Sequence, residues 1–307
     1  MRSFIPFVAF AGAAIARVNI MLPLYVHPIH TTDWNAVVET VNAHKNLHFY
    51  LVINPANGPT DRNDPFFQFE HGYNTDWTTA VARLNALENA QTIGYVSTSY
   101  NNGSRTRDAV VADIDNWSQW KTEKDRDGRP ANISIHGIWF DETSVAEKDF
   151  EFYKDLTSHA REAFGASSAP QYTAVLNTGV RPPNPTYERD LFGLADVVVT
   201  RETCWQNPST SNAGACPLPY EPYNASTLVE SGGLPSNVDL YAKASIVVHY
   251  VRPDPPVDTA ILADQIKRTV DFGIHSLYFT SAELWETTVL GPATVGAVAQ
   301  AVDVAQP

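Results

Sequence analysis

The chain has 307 residues, of which 44% are hydrophobic and 18% are charged. This length and composition fit one large globular domain or two small ones, and they exclude a mainly disordered chain. The formal net charge of -13, from 34 acidic and 21 basic side chains, argues against nucleic-acid binding, because phosphate contacts need patches of Lys and Arg. Neutral or cationic partners are therefore expected.

The first residues have the pattern of a secretory signal. Arg2 is followed by an apolar run over residues 4–15 and by the small-x-small sequence Ala14-Ile15-Ala16, which is the order of basic region, apolar region and cleavage site. We predict a signal peptide over residues 1–16 and a mature domain over residues 17–307, with no membrane span after cleavage. A buried first helix or a membrane anchor is the alternative, although the run is short for a bilayer span.

Beyond residue 17, short apolar runs alternate with stretches of helical period, which is the pattern of a parallel βα sheet. The predicted strands cover residues 19–26, 48–53, 92–98, 135–140, 172–176, 196–200, 244–251 and 276–280. The predicted helices cover residues 33–44, 75–87, 106–121, 146–164, 258–272 and 293–304, with a short helical window at 226–230. Eight strands over this length predict a single-domain α/β fold, the (β/α)8 TIM-type barrel. A doubly wound open sheet is the alternative.

Three connections are predicted to lack regular structure. The long loop after the second strand is rich in phenylalanine and proline, residues 121–130 are charged and turn-rich, and residues 181–185 are rich in proline. We place the charged segment on the solvent side.

The fourth predicted strand ends in two adjacent carboxylates. Its apolar run is followed directly by Asp141 and Glu142, and burial of carboxylates is unfavourable unless they have a partner or a use. In a parallel barrel, the C-terminal ends of the strands carry the chemistry. We interpret the pair as the mark of an active site; a cap for the following helix is the alternative.

The ends of the other predicted strands converge on the same mouth if the barrel is correct. They add a third carboxylate, Glu202, whose alternative interpretation is a surface ion pair with Arg201. Polar and aromatic residues nearby are expected to bind substrate: Tyr25, His27, Asn54, Ser97, Tyr100, Asn177, Trp205, His249 and Trp285.

Three carboxylates among amides and aromatic rings suit the cleavage of glycosidic bonds. That reaction needs one carboxylic acid to protonate the leaving oxygen and a second carboxylate as nucleophile or base. Adjacent residues cannot flank one bond, so we expect Glu202 as general acid/base, and Asp141 or Glu142 as nucleophile or charge stabiliser. The stereochemistry stays open, because retention needs carboxyl groups about 5 Å apart and inversion needs roughly 6.5 to 9.5 Å.

Other chemistries lack their motifs. No usual zinc spacing accompanies His27 and His30, and the chain has no Gly-x-Ser-x-Gly elbow and no glycine-rich nucleotide loop. We therefore predict no metal and no organic cofactor. Two alternatives stay open: a non-catalytic carbohydrate-binding or cell-wall protein on the same scaffold, and a metal-dependent polysaccharide deacetylase.

The cysteines and the glycosylation motifs fit an extracellular protein. Cys204 and Cys216 are expected to form a disulfide in an oxidising compartment, with two free buried thiols as the alternative. Four asparagines lie in acceptor motifs for N-glycosylation: Asn102, Asn116, Asn132 and Asn224.

Four segments, at residues 22–28, 53–59, 93–100 and 137–142, together resemble the spherulin 4 family of secreted or surface fungal proteins. The resemblance extends over about residues 18–285 and implies a (β/α)8 barrel. It also implies endo-acting hydrolysis of α-1,4-linked N-acetylgalactosamine in galactosaminogalactan, the activity of glycoside hydrolase family 135. The acidic triad of that family would fall on Asp141 and Glu142 by motif, and on Glu202 by position alone.

The chain departs from the family pattern at two loops of the expected cleft. Thr60 follows Gly58-Pro59 where the family tends to have glycine, and the loop is extended over residues 61–72. The stretch from Tyr100 to Arg105 is two residues longer than the family pattern. The resemblance therefore implies a polysaccharide partner, a neutral or cationic hexosamine polymer, more firmly than one particular polymer.

Overall fold

A computed structural model describes residues 17–59, 73–165, 171–205, 222–251, 257–281 and 293–306. The strands in these residues are β1 (Asn19–Leu24), β2 (Phe49–Ile53), β3 (Ala90–Ser97), β4 (Thr122–Lys124), β5 (Pro130–Asn132), β6 (Gly137–Asp141), β7 (Thr173–Asn177), β8 (Val197–Cys204), β9 (Ala244–His249) and β10 (Ser276–Phe279). The α-helices are α1 (Asn35–Ala43), α2 (Tyr73–Asn85), α3 (Arg107–Ser118), α4 (Phe150–Phe164), α5 (Pro185–Leu194), α6 (Thr259–Val270) and α7 (Val295–Ala305).

Eight of these strands close into a barrel in the order β1-β10-β9-β8-β7-β6-β3-β2. Every pairing around the barrel is parallel. Strands covered by helices outside and packed inside are buried on both faces, which explains why they read as continuous apolar runs. The predicted (β/α)8 fold is confirmed.

The barrel interior is a separate apolar core. It consists of Met21, Val52, Ile93, Tyr95, Trp139, Val175, Val197, Val199 and Val247. Because alternate residues of a strand point to the same face, the next interior positions toward the C-terminal mouth are polar. Asp141 follows Trp139, Asn177 follows Val175, and His249 follows Val247 in this way. The apolar filling therefore ends in a layer of carboxylate, amide and imidazole groups.

A break in register re-aims the end of β8. The pairing of β8 with β9 shifts between Val199 and Arg201, so one extra residue, Thr200, separates two regular stretches. Such a bulge reverses the alternation of faces beyond it. Glu202 therefore points into the mouth on the same side as Val197 and Val199. Without the bulge, its odd number of residues from both would place it on the opposite face of the strand. The strand also runs to Cys204, four residues beyond its predicted end.

Two elements were predicted as loops. Helix α5 begins in the proline-rich segment, with Pro185 at its start and the Asn184 side chain accepting a hydrogen bond from the backbone N–H of Thr186. The charged segment near residue 125 forms the antiparallel pair β4 and β5. Arg126, between these strands, donates to Asp76 of α2, so the hairpin is fastened to the helical layer.

The two ends of the described chain meet beneath the barrel. The Gln306 side chain, just after α7, accepts a hydrogen bond from the backbone N–H of Val18 and donates one to its carbonyl, at 2.8 and 3.0 Å. Residues 1–16, where the signal peptide is predicted, lie outside the described residues. No helix in the described ranges has the length and apolar character needed to cross a membrane.

Candidate active site

A cavity of about 550 Å3 opens among the C-terminal ends of the barrel strands. It is lined by seven residues that were predicted for the site: Tyr25, Asn54, Tyr100, Asp141, Glu142, Asn177 and Glu202. Tyr95, Thr178, Gly179 and the loop Pro55-Ala56-Asn57 complete its wall. The three predicted carboxylates thus share one cavity.

The Asn177 side chain joins two of these carboxylates. Its amide nitrogen donates to Asp141 Oδ1 at 2.6 Å and to Glu202 Oε2 at 3.1 Å. Because both oxygens bond to one nitrogen, they lie no more than about 5.7 Å apart, the sum of the two distances. Asp141 and Glu202 therefore face each other at short range across the mouth.

Glu202 is held from its other side by His249. The Nε2 atom of this imidazole lies 2.8 Å from Glu202 Oε1, and the two side chains are only 5% and 16% exposed, respectively. Each carboxylate oxygen of Glu202 therefore has its own partner, Asn177 on one and His249 on the other. A carboxylate bound at both oxygens has a fixed orientation, which is a requirement for attack or proton transfer at a defined atom.

Asp141 has a pKa well above the usual value for a carboxyl group. Burial, and next the charge of Glu202, raise the pKa of Asp141 to about 6, while hydrogen bonds from Tyr95 and Asn177 act in the opposite direction. Two carboxyl groups at this distance do not both ionise readily. Below about pH 6 the pair thus holds one proton and presents one acid with one carboxylate.

Glu142 turns away from this pair. Its Oε2 atom accepts a hydrogen bond from Ser97 Oγ at 2.5 Å, with Ser99 Oγ 3.5 Å away. The residue has a left-handed backbone, with φ of 54°, a conformation that costs a side-chain-bearing residue about 1 kcal/mol or more. Asp141 and Glu142 are adjacent in sequence, yet they serve two different parts of the cavity wall.

The loops after β3 and β6 both contain residues with left-handed backbone, and hydrogen bonds connect the two loops. Ser99, Tyr100 and Asn101 are also left-handed, and the backbone N–H of Tyr100 donates to the Glu142 carbonyl at 2.7 Å. The Thr98 hydroxyl lies 2.9 and 2.8 Å from the carbonyl oxygens of Asp141 and Glu142. The loops after β3 and β6 are therefore locked together, and Tyr100 is presented at the rim with 53% of its surface exposed.

A second cavity, of about 470 Å3, adjoins the first. The two share Ala56, Asn57, Tyr95 and Glu142 as lining. Ser97 and Ser99 also line the second cavity, as does the ion pair of Arg105 with Asp113 on α3.

Two predicted substrate residues, His27 and Trp205, lie outside both cavities. His27 pairs with Asp76 Oδ2 at 2.9 Å and contacts the Trp77 ring. Trp205 packs on Tyr223 and Phe279 and lines a different groove. Trp285 and Cys216 lie outside the described residues, so the pairing of Cys216 with the buried Cys204 stays a prediction. Among the glycosylation candidates, Asn102, Asn132 and Asn224 are exposed and Asn116 is half-buried.

Sequence reasoning missed Tyr95, which donates a hydrogen bond to Asp141. It lies inside a strand, two positions before Ser97 and on the same face, so the period of two along β3 was the available signal. The described residues contain no group of three or more His, Cys, Asp or Glu side chains arranged to hold a metal ion.

Residues 19–293 match the model of the Spherulation-specific family 4 (Spherulin4). Among solved structures, Sph3 from Aspergillus clavatus in complex with GalNAc is similar at 20% identity and a TM-score of 0.65, over 94% of this chain and 98% of that one. The ICChI chitinase from Ipomoea carnea has 12% identity and a TM-score of 0.51, over 92% and 99%.

The Group IV chitinase from Ostrinia furnacalis, in complex with allosamidin, has 11% identity and a TM-score of 0.51, over 94% and 100%. At these identities the structural likeness concerns the fold. No curated protein matches the chain by sequence. The family match extends over nearly the whole described barrel, including every carboxylate of the mouth, and the chain therefore belongs to the Spherulin4 family.

Proposed function

We propose that this protein is a secreted, endo-acting glycoside hydrolase that cleaves an α-1,4-linked N-acetylgalactosamine polymer with retention of configuration. Asp141 and Glu202 form the working pair, and Glu142 shapes the wall beside them. One member of the pair protonates the leaving oxygen while the other attacks the anomeric carbon; water then releases the glycosyl group from the enzyme.

The observation that carries this proposal is the shared Asn177 amide. It limits the distance from Asp141 Oδ1 to Glu202 Oε2 to about 5.7 Å, which is close to the carboxyl separation of about 5 to 5.5 Å in retaining enzymes and below the roughly 6.5 to 9.5 Å of inverting ones. The proton held by the pair at mildly acidic pH supplies the acid. His249 and Asn177 keep Glu202 oriented before substrate arrives.

The choice of substrate is supported by the family match and by Sph3, a protein of similar fold whose structure was solved with GalNAc. The exposed Tyr100 ring at the rim is suited to stacking on a sugar face. The extracellular location is supported by the signal-like pattern of residues 1–16 and by the exposed asparagines of three glycosylation motifs.

The proposal is tested with purified α-1,4-linked N-acetylgalactosamine polymer. We expect release of short oligosaccharides, and we expect NMR of the new reducing ends to show the α anomer before mutarotation. The β anomer appearing first would contradict double displacement. Tight binding of the polymer without any product would instead make the protein a carbohydrate-binding barrel.

Tyr95→Phe tests the proton of the pair. Because the Tyr95 hydrogen bond lowers the pKa of Asp141, its removal raises that pKa further. Activity that needs the shared proton falls as pH rises through about 6 in the wild type. The basic limb of kcat/KM, which reports the free enzyme, should therefore move to higher pH in Tyr95→Phe.

Tyr187→Phe is the matched control for this shift. The Tyr187 hydroxyl donates to the Ala146 carbonyl in the outer layer, away from Asp141, so its removal should leave the basic limb in place. A basic limb that stays fixed in Tyr95→Phe, or moves to lower pH, would show that Asp141 does not hold the essential proton.

A further inference from the structure

The second cavity offers one hydrogen-bond donor group beside one acceptor group. Arg105 uses two of its five guanidinium N–H groups, one toward the Ser97 carbonyl and one toward Asp113 Oδ2. Asp113 Oδ1 receives no hydrogen bond from the described residues. The two side chains are 24% and 22% exposed, so both still reach the cavity.

Glu142 stands at the boundary between the two cavities, since it lines both. A sugar chain whose scissile bond lies between Asp141 and Glu202 can therefore continue past Glu142 into the second cavity. An endo-acting enzyme needs contacts of this kind with units beside the cleaved bond.

We infer that the second cavity is a subsite for a neighbouring sugar unit and that Arg105 and Asp113 recognise its acetamido group. An acetamide presents one carbonyl oxygen and one N–H, which match the guanidinium donor and Asp113 Oδ1, respectively. This inference rests on the proposed function and assigns to these two residues the preference for N-acetylated polymer.

A free amine is a poorer match for the same pair. An ammonium group has donors only, so it leaves the Arg105 N–H groups without an acceptor and brings a second positive charge beside them. The Asp113 charge is already balanced by Arg105, so its attraction for the ammonium is reduced. Unpaired groups in a half-buried pocket oppose binding.

The test measures binding in a protein that cannot turn over. Calorimetric titrations of Glu202→Gln use two probes, the α-1,4-linked N-acetylgalactosamine tetramer and the same tetramer after chemical de-N-acetylation. Adding Asp113→Asn keeps an acceptor for Arg105 and places an N–H2 donor where the acetamide N–H needs an acceptor. We expect about tenfold weaker binding of the acetylated tetramer, the effect of one lost hydrogen bond to a charged group. The titrations are run in about 1 M salt, which screens the charge left on Arg105 from the ammonium groups of the second probe, so the de-N-acetylated tetramer should change little.

Asp115→Asn is the matched control, because Asp115 lies on the same helix and pairs with His159 instead. It should leave both affinities unchanged. Equal losses for the two tetramers in Asp113→Asn, or no loss for either, would overturn the inference. If Asp113→Asn does not fold, Arg105→Lys replaces it, with the same expectation, since lysine keeps the charge but lacks the fork of donors.

Hydrolysis by the wild-type protein separates the two proposals. Without cleavage of the acetylated tetramer or polymer, the proposed function fails, whatever the affinities. With cleavage but no dependence of the acetyl preference on Asp113, only the subsite fails.

Discussion

Glu202→Gln is expected to reduce kcat by about three orders of magnitude or more. The amide cannot attack the anomeric carbon as a nucleophile, and it cannot exchange a proton with the leaving oxygen or with water. Asp141→Asn should have a comparable effect. Since the two carboxyls act as a unit, the double variant should be little worse than either single one. Initial rates of oligosaccharide release from the polymer measure all three.

The same variant gives a readout that does not depend on turnover. The charge of Glu202 is the second cause of the raised pKa of Asp141, so the pKa of Asp141 should fall in Glu202→Gln, as followed by carboxyl NMR. Glu230→Gln, at an exposed glutamate, is the control and should change neither rate nor pKa. Wild-type rates in Glu202→Gln would remove Glu202 from the mechanism.

Gly137→Ala is expected to lower the free energy of unfolding by about 3 kcal/mol, the upper range for overpacking. A Cβ at this position would lie 2.3 Å from the Thr173 carbonyl oxygen and 2.7 Å from a methyl carbon of Ile93. The first of these is backbone in a paired strand, so it cannot move without disturbing the contact of β6 with β7. Those strands carry Asp141 and Asn177, so activity should fall as well.

Gly193→Ala makes the same chemical change where space allows it. Gly193 is exposed in helix α5, and a Cβ there meets nothing within 4 Å. Alanine favours helix over glycine by about 1 kcal/mol, so this variant should be slightly stabilised. Urea unfolding of both variants checks the contrast; equal small changes would show that β6 and β7 can separate to admit a methyl group.

The barrel and much of its mouth could be predicted because parallel strands repeat one rule. Each buried run ends in a polar residue, and all ends meet at one face. Asp141, Asn54 and Asn177 were found in this way. Tyr95 was not, because it lies inside β3, two residues before the strand ends at Ser97, and the rule concerns only the residues at a strand end.

The pairing of Asp141 with Glu202 depends on features that no local pattern contains. The extra residue at Thr200 changes which face Glu202 takes, and the Asn177 bond to both carboxylates is a contact between three strands. Helix α5 is a different case. Pro185 after Asn184 is a regular helix start, but the prolines before it favour a loop.

The contact of Gln306 with Val18 makes the protein suitable for circular permutation. Both partners lie on the side of the barrel opposite the mouth, with the last helix already tied to the first strand. A short linker could join these positions into a circle, and new ends could then open in an outer connection. Without that linker, a fusion partner or a solid support attached beside Val18 or Gln306 would lie opposite the mouth. The mouth would then stay accessible to an insoluble polymer.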